Sequence, residues 1–277
     1  MITDFYKEKI QILKNSHIKK PELDLRILIE KSLKKKKLFL LQDLKLNEIN
    51  LRRFNSFFQR RIKGEPISKI LNKKEFWDLE FFINKNVLDP RNETEHLIET
   101  VIDNYDKNEK LKICDLGTGS GCIIITLLKY FEKSKGYAYE ISKKAIEVAK
   151  INAKQHKVIN RLELIQKSWI NLKGKFDLIV SNPPYIRLDD YSNLQREVRK
   201  FDPKISLISG RSGLEKYEEL ASIVVKCMKK NSIFITEIGY NQRPDVEKIF
   251  LKSDLKAIKI IKDLQEIDRI LVFKRII

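Results

Sequence analysis

Leu111-Lys112-Ile113-Cys114-Asp115-Leu116-Gly117-Thr118-Gly119-Ser120-Gly121 reads as a strand that runs into a loop of alternate glycines, with an apolar helix, Cys122 to Tyr130, directly behind it. Alternate glycines let the backbone approach a ligand closely and turn tightly into a helix N-terminus. Outward from this stretch, strand-like and helix-like patterns alternate. Tyr137-Ala138-Tyr139-Glu140 is followed by a helix from Lys143 to His156, then by Leu162-Glu163-Leu164-Ile165. Phe176-Asp177-Leu178-Ile179-Val180 comes next, then a helix from Leu214 to Lys229 and the strand Ile233-Phe234-Ile235-Thr236-Glu237. That order is the mark of an α/β fold with a parallel sheet covered on both faces. Ala257-Ile258-Lys259-Ile260-Ile261 and Ile270-Leu271-Val272-Phe273, joined by a short connection, read as a closing antiparallel pair.

The ends of these strands carry the chemistry. No Lys-Ser/Thr follows Gly117, Gly119 and Gly121, which excludes a P-loop. Asp115, just before the loop, adds negative charge that disfavours a pyrophosphate and suits a cationic ligand. Glu140 ends the second strand about twenty residues on, where a carboxylate accepts hydrogen bonds from ribose hydroxyls; capping the helix that follows Ile141-Ser142 is the other use of an acid there. Trp169, at the end of the third strand, is placed to cover a flat ring or to fill core. The fourth strand enters Ser181-Asn182-Pro183-Pro184-Tyr185. Neither proline can donate a sheet hydrogen bond, so the chain leaves the sheet as a rigid loop at a strand's carboxyl end. The Asn182 amide and the Pro183 carbonyl stand there as acceptors beside an aromatic platform, Tyr185. That combination suits a planar NH2 group, and a plain strand-ending turn would use the same residue types.

Composition sets the class. With 277 residues and an apolar fraction of 42%, the chain can bury a substantial core in one or two domains. No apolar run approaches the roughly 20 residues that cross a bilayer, and the N-terminus does not read as a signal peptide. Cys114, Cys122 and Cys227 lack metal spacing, and His17, His96 and His156 fall in unrelated contexts, so no metal site is expected. Free buried thiols point to the cytoplasm. The net charge of +18 implies an acidic partner, and residues 1–80 hold 20 Lys and Arg against 11 Asp and Glu. A genome-wide bias towards Lys would give a similar excess.

The first seventy-odd residues have helical periodicity. Thr3 is expected to cap a first helix bearing Phe5, Ile10 and Leu13; Pro21 opens a second, with Leu25, Leu28, Ile29 and Leu33 buried. The run Lys34 to Lys37 ends it as a solvated patch. Asn47 is expected to cap a third helix through Leu51, Phe54, Phe58 and Ile62, stopped by Gly64 and Pro66. The period then changes: Phe76 to Ile83 and Val87-Leu88, around Asn84-Lys85-Asn86, read as a hairpin. Asn92 and Glu95 stand at capping-box spacing before a helix carrying Leu97, Ile98, Val101 and Ile102. The expected domains are a helical bundle over residues 1–75, a hairpin linker over 76–90 and an α/β domain over 91–277.

Taken in order, Asp115 to Gly121, Glu140 and Asn182-Pro183-Pro184-Tyr185 resemble the class I S-adenosylmethionine-dependent methyltransferases. That resemblance implies a Rossmann-like, seven-stranded sheet with a reversed final hairpin. An Asn-Pro-Pro-Tyr tetrapeptide marks members that methylate planar amino or amide nitrogens. Over nearly its full length the chain is similar to the HemK/PrmC release factor glutamine methyltransferases. Gly64-Glu65-Pro66-Ile67, Ile70-Leu71 and Glu75-Phe76-Trp77 match that branch, as do Glu237-Ile238-Gly239 and Asp268-Arg269. Leu88-Asp89-Pro90-Arg91-Asn92-Glu93-Thr94-Glu95 resembles its Leu-Ile-Pro-Arg-Pro-Asp-Thr-Glu segment, with Asp89, Asn92 and Glu93 in place of Ile, Pro and Asp.

The resemblance implies S-adenosyl-L-methionine as donor, held by Asp115, Gly117, Thr118, Gly119, Ser120, Gly121, Glu140, Trp169 and Asn182. Asn182, Pro183, Pro184 and Tyr185 would hold the substrate amide, with Asn182, Pro183 and Tyr185 catalytic. The implied substrate is the glutamine of the Gly-Gly-Gln motif in class I peptide chain release factors, chosen with help from residues 1–75. A ribosomal-protein glutamine methyltransferase and an adenine-N6 DNA methyltransferase share the tetrapeptide. The DNA enzyme would need a recognition segment larger than the N-terminal bundle, so no direct nucleic-acid substrate is expected. A non-catalytic ribosome-binding module would have lost some of Gly117, Gly119, Gly121, Glu140 and Asn182.

Overall fold

The structure, a computed structural model, describes residues 2–35 and 43–276, so Lys36 and Lys37 of the lysine run lie outside it. In chain order come α1 (Ile2–Asn15), α2 (Pro21–Ser32), α3 (Leu51–Ile62), α4 (Ile67–Leu71), β1 (Lys73–Phe76), β2 (Leu79–Phe82) and α5 (Glu95–Asn104). Next are β3 (Lys112–Leu116), α6 (Cys122–Tyr130), β4 (Lys135–Glu140), α7 (Lys143–Gln155), β5 (Leu162–Gln166) and β6 (Phe176–Ser181). The last are α8 (Arg196–Phe201), α9 (Glu215–Cys227), β7 (Met228–Glu237), α10 (Arg243–Leu251), β8 (Leu255–Lys262) and β9 (Asp268–Arg275). Two compact units divide the chain: residues 1–72 with 195–201, and residues 73–194 with 202–277.

In the first unit, Leu13, Leu25, Leu28, Ile29, Phe54 and Phe58 close one apolar core. Phe54 packs on Phe5 and Phe58 at ring-centroid distances of 5.1 and 5.4 Å. Pro21 is a first-turn residue of α2, as its fixed φ favours, and Gly64 follows α3 with φ of +87°. Two expected caps are displaced. Thr3 lies inside α1, which already begins at Ile2. Asn50, not Asn47, caps α3 by accepting the Arg53 N–H at 3.0 Å. Asn47 is instead part of a 3-10 turn, Leu46–Glu48, in which Glu48 takes the Lys45 N–H at 2.9 Å. A buried ion pair crosses the bundle: Arg61 Nε donates to Asp24 at 2.7 Å and its Nη2 to Glu197 of α8 at 2.8 Å. Lys69, also buried, donates to the Phe201 carbonyl at 2.5 Å. The segment 195–201 is thus bound into the helical unit by charge, which no local pattern in its sequence announces.

The second unit is built on a seven-stranded sheet of order β5-β4-β3-β6-β7-β9-β8. Pairing is parallel from β5 to β7, and β9 runs antiparallel to both β7 and β8. Alternation along each strand feeds two cores. Ile113, Leu178, Ile233 and Val272 face Leu97, Ile124 and Val148 of α5, α6 and α7. Cys114, Ile179, Phe234 and Phe273 face Tyr217, Leu220 and Phe250 of α9 and α10. The hairpin differs from expectation. Its strands are β1 and β2, paired Lys73↔Phe82 to Phe76↔Leu79, and its turn is Trp77-Asp78. Trp77 takes φ of +54°, which the tight turn requires and an aromatic residue seldom adopts. Asn84 to Asn86 do turn the chain, but Val87-Leu88 adds no strand. The capping box is absent too: Asn92–Thr94 forms a 3-10 turn, and Glu95 Oε1 accepts the Trp77 N–H at 2.9 Å.

Candidate functional site

Strand order reverses direction at β3, with β4 and β5 on one side and β6 and β7 on the other. Ligand crevices of open α/β sheets lie outside the carboxyl ends of strands at such a point. The two ends are locked in register, Leu116 opposite Ser181, and Ser181 Oγ donates to the Leu116 carbonyl at 2.8 Å. The glycine loop leaves β3 there and the Asn-Pro-Pro-Tyr loop leaves β6. One cleft of about 180 Å3 is lined by Gly117, Gly119, Glu140, Trp169, Asn182 and Pro184.

Local chemistry shapes the loop. Gly117 and Thr118 both give their N–H to the Tyr139 carbonyl, at 2.9 and 3.1 Å, which folds the loop over β4. Gly117 has φ of +82°, and a Cβ there would come within 3.1 Å of the Trp169 ring. Glycine is what lets the indole lie against the loop. Around Gly119 the space is open, with nothing within 4 Å of where a Cβ would stand. Glu140 accepts the Gly119 N–H at 3.1 Å on one oxygen and the Ser142 N–H at 2.9 Å on the other. Trp169 Nε1 donates to Glu219 at 3.0 Å, and Lys216 pairs with the same carboxylate at 2.5 Å. Lys216 and Glu219 also line the cleft; they sit on an amphipathic helix where nothing local marks them.

Asp115, Thr118, Ser120 and Gly121 stand behind this surface, buried. Thr118 Oγ1 donates to Asp115 Oδ2 at 2.6 Å, while Oδ1 has no hydrogen-bond partner. Burial raises the Asp115 carboxyl to about 7, and the nearby Glu140 charge pushes the same way against the Thr118 hydrogen bond. The Ser120 carbonyl accepts from Asn152, which also exchanges two hydrogen bonds with the Phe82 backbone, 2.7 and 2.9 Å long. The hairpin and the glycine loop are therefore braced by one side chain.

On the other wall, Asn182 Nδ2 donates to Thr94 Oγ1 at 3.0 Å and to Glu237 Oε2 at 2.9 Å. Thr94 Oγ1 donates to the same Oε2 at 2.6 Å, and Tyr185 donates its hydroxyl to Oε1 at 3.2 Å. Glu237 is 2% exposed, and burial raises its carboxyl, opposed by these donors. The Asn182 NH2 group is thus held inward on Thr94 and Glu237, and Oδ1 is the amide atom left to the cleft. Pro183 is buried, and the Tyr185 ring is clamped: a Cβ at Gly239 would lie 2.9 Å from its Cδ2. Gln242 Nε2 holds the Tyr185 carbonyl at 2.9 Å. Thr94 and Glu237 were recognisable only as parts of segments that carry the resemblance; their meeting depends on the fold. Among the described residues, no group of three or more His, Cys, Asp or Glu could hold a metal ion, and no helix is long and apolar enough to cross a membrane.

Comparison with known proteins adds the family. The sequence profile of the methyltransferase domain family matches residues 107–272, and that of the PrmC N-terminal domain matches residues 5–71. The chain is 37% identical over 300 residues to the bifunctional methyltransferase of Rickettsia bellii, covering 98% of this chain and 54% of that protein. It thus spans about half the length of the bifunctional relatives it matches. With the release factor glutamine methyltransferase of Caulobacter vibrioides it shares 33% identity over 264 residues, covering 94% of this chain and 91% of that protein. The crystal structure of ribosomal protein L11 methylase from Lactobacillus delbrueckii subsp. bulgaricus has the same fold, with a TM-score of 0.51 at 21% identity over 70% of this chain and 83% of that one. With both of its segments matched and most of the Caulobacter protein covered, this chain belongs to the release factor glutamine methyltransferase family.

Proposed function

We propose that this chain transfers a methyl group from S-adenosyl-L-methionine to the side-chain amide nitrogen of the glutamine in the Gly-Gly-Gln motif of class I peptide chain release factors. The observation that carries it is the Asn182 amide, whose NH2 group turns inward onto Thr94 and Glu237 so that the cleft meets an acceptor oxygen. The residues present fit the donor: an open glycine at Gly119, a carboxylate at Glu140 where ribose hydroxyls can be accepted, and the Trp169 ring along one wall. When bound, the donor supplies an electrophilic methyl group on a sulfonium. Glu140 and the glycine loop would hold it, and Trp169 would cover its flat ring.

An amide nitrogen is a poor nucleophile because its lone pair is delocalised into the carbonyl. Asn182 Oδ1 and the Pro183 carbonyl, accepting its two N–H groups, turn the face of the NH2 towards the methyl. Positioning is their main contribution. Tyr185, fixed through its hydroxyl, backs this wall. The N–C bond forms as the C–S bond breaks, and the extra proton leaves to solvent.

An amide clamp cannot choose one glutamine among many, so a second surface must select the release factor. The basic helical region of residues 1–75 supplies it, with Arg52 and Arg53 exposed on α3. The setting is the cytoplasm, where Cys114, Cys122 and Cys227 stay as buried free thiols. Asn182→Ala tests the clamp. Turnover is expected to fall about 100-fold, with donor affinity largely kept. Collapse of donor binding with unchanged turnover per bound donor would make Asn182 a donor-binding residue only.

A further inference from the structure

Nothing about an asparagine side chain fixes which end of its amide faces a ligand, since oxygen and nitrogen occupy nearly the same space. We infer that Glu237 is the positioning residue that sets the polarity of Asn182, so that the cleft presents an acceptor and selects a substrate bearing an NH2 group. This assignment rests on the proposed amide methylation.

Donors and acceptors decide the orientation. An ionised carboxylate only accepts, and Glu237 is buried where no solvent can correct a mismatch. Its Oε2 receives Asn182 Nδ2 at 2.9 Å and Thr94 Oγ1 at 2.6 Å, and its Oε1 receives the Tyr185 hydroxyl at 3.2 Å. Thr94 spends its one hydrogen on Glu237, so its oxygen can only accept from the same Asn182 NH2 group, at 3.0 Å, beside the Glu237 contact. Turning the Asn182 amide over would set Oδ1 against two acceptors and strip a buried carboxylate of a donor. The cluster permits one orientation. A glutamine side chain then meets a complementary acceptor, whereas a glutamate in the same place brings only acceptors and is refused. The contacts bridge 143 residues from Thr94 and 55 from Asn182, so the tertiary fold, not the tetrapeptide, decides the polarity.

A double-mutant cycle tests this. Glu237→Leu is expected to lower kcat about 10- to 100-fold with donor affinity within about twofold of wild type. In an Asn182→Ala background the same change is expected to cost less than about twofold, because its effect runs through Asn182. Losses that multiply would show that Glu237 acts independently of Asn182 and would overturn the assignment. Should Glu237→Leu not fold, Thr94→Val completes the cycle: about fivefold in kcat alone, and nothing further once Asn182 is replaced by alanine. Multiplying losses there overturn it equally. Unchanged turnover in Asn182→Ala would refute the amide clamp and this assignment together, so the two failures can be told apart.

Discussion

Replacing Asp115 by asparagine should remove a pH dependence of stability that the fold creates. In the unfolded chain the carboxyl titrates near its ordinary value of 3.8, and in the folded chain near 7. Between those values the unfolded state has released a proton that the folded state still holds. Stability from this group is therefore fully present below about pH 4, falls as pH rises to about 7, and is flat above that. A separation of about 3 pH units at 1.36 kcal/mol each makes the loss about 4 kcal/mol. In Asp115→Asn the amide oxygen would still accept from Thr118 Oγ1, which bonds the wild-type side chain at 2.6 Å, so the variant imitates the protonated acid. The assay is urea unfolding of both proteins from pH 4 to 8. Burial also raises Glu237 and Asp24, whose contributions have the same sign and remain in the variant. The difference between the two curves isolates Asp115. Wild type should lose about 4 kcal/mol more than the variant over this range. Parallel curves would refute the buried, proton-holding carboxyl.

Glu140→Ala should weaken S-adenosyl-L-methionine binding about tenfold or more by calorimetry, through lost ribose hydrogen bonds; unchanged affinity would remove Glu140 from the site. Arg61→Leu leaves Asp24 buried without its guanidinium partner and should cost about 3–5 kcal/mol in denaturant unfolding. A change under about 1 kcal/mol would mean that the pair is effectively solvated. Arg52→Glu combined with Arg53→Glu should raise KM for release factor more at low salt than at high salt, with kcat held. Equal KM values would take α3 out of substrate selection.

Much of this molecule was legible in its sequence because its signals are local. Apolar runs such as Phe176–Ser181, each closed by glycine, proline or an acid, read as buried strands, and the helix Cys122–Tyr130 was expected at the bounds observed. Errors arose where local chemistry was overruled. Asn47 looks like a cap, but Asn50 stands nearer the first turn of α3 and takes the role. Asn84-Lys85-Asn86 has turn chemistry, yet the hairpin turns at Trp77, whose positive φ no propensity foretells. Helix α10 has no counterpart among the sequence expectations, although Pro244 lies in its first turn. The site was half legible: residues on the glycine and proline loops announce themselves by backbone constraint. Glu237 reads only as the polar end of a strand until Thr94 and Asn182 are folded against it.

Incubating the full chain with S-adenosyl-L-methionine, an intact class I release factor and duplex DNA at physiological salt, followed by mass spectrometry of protein and nucleosides, tests the central claim most directly. The account predicts one added methyl group on the glutamine of the Gly-Gly-Gln motif and unmodified adenine, since weak basic contacts to phosphate are screened at that salt. Methylated adenine beside an unmodified release factor would contradict it.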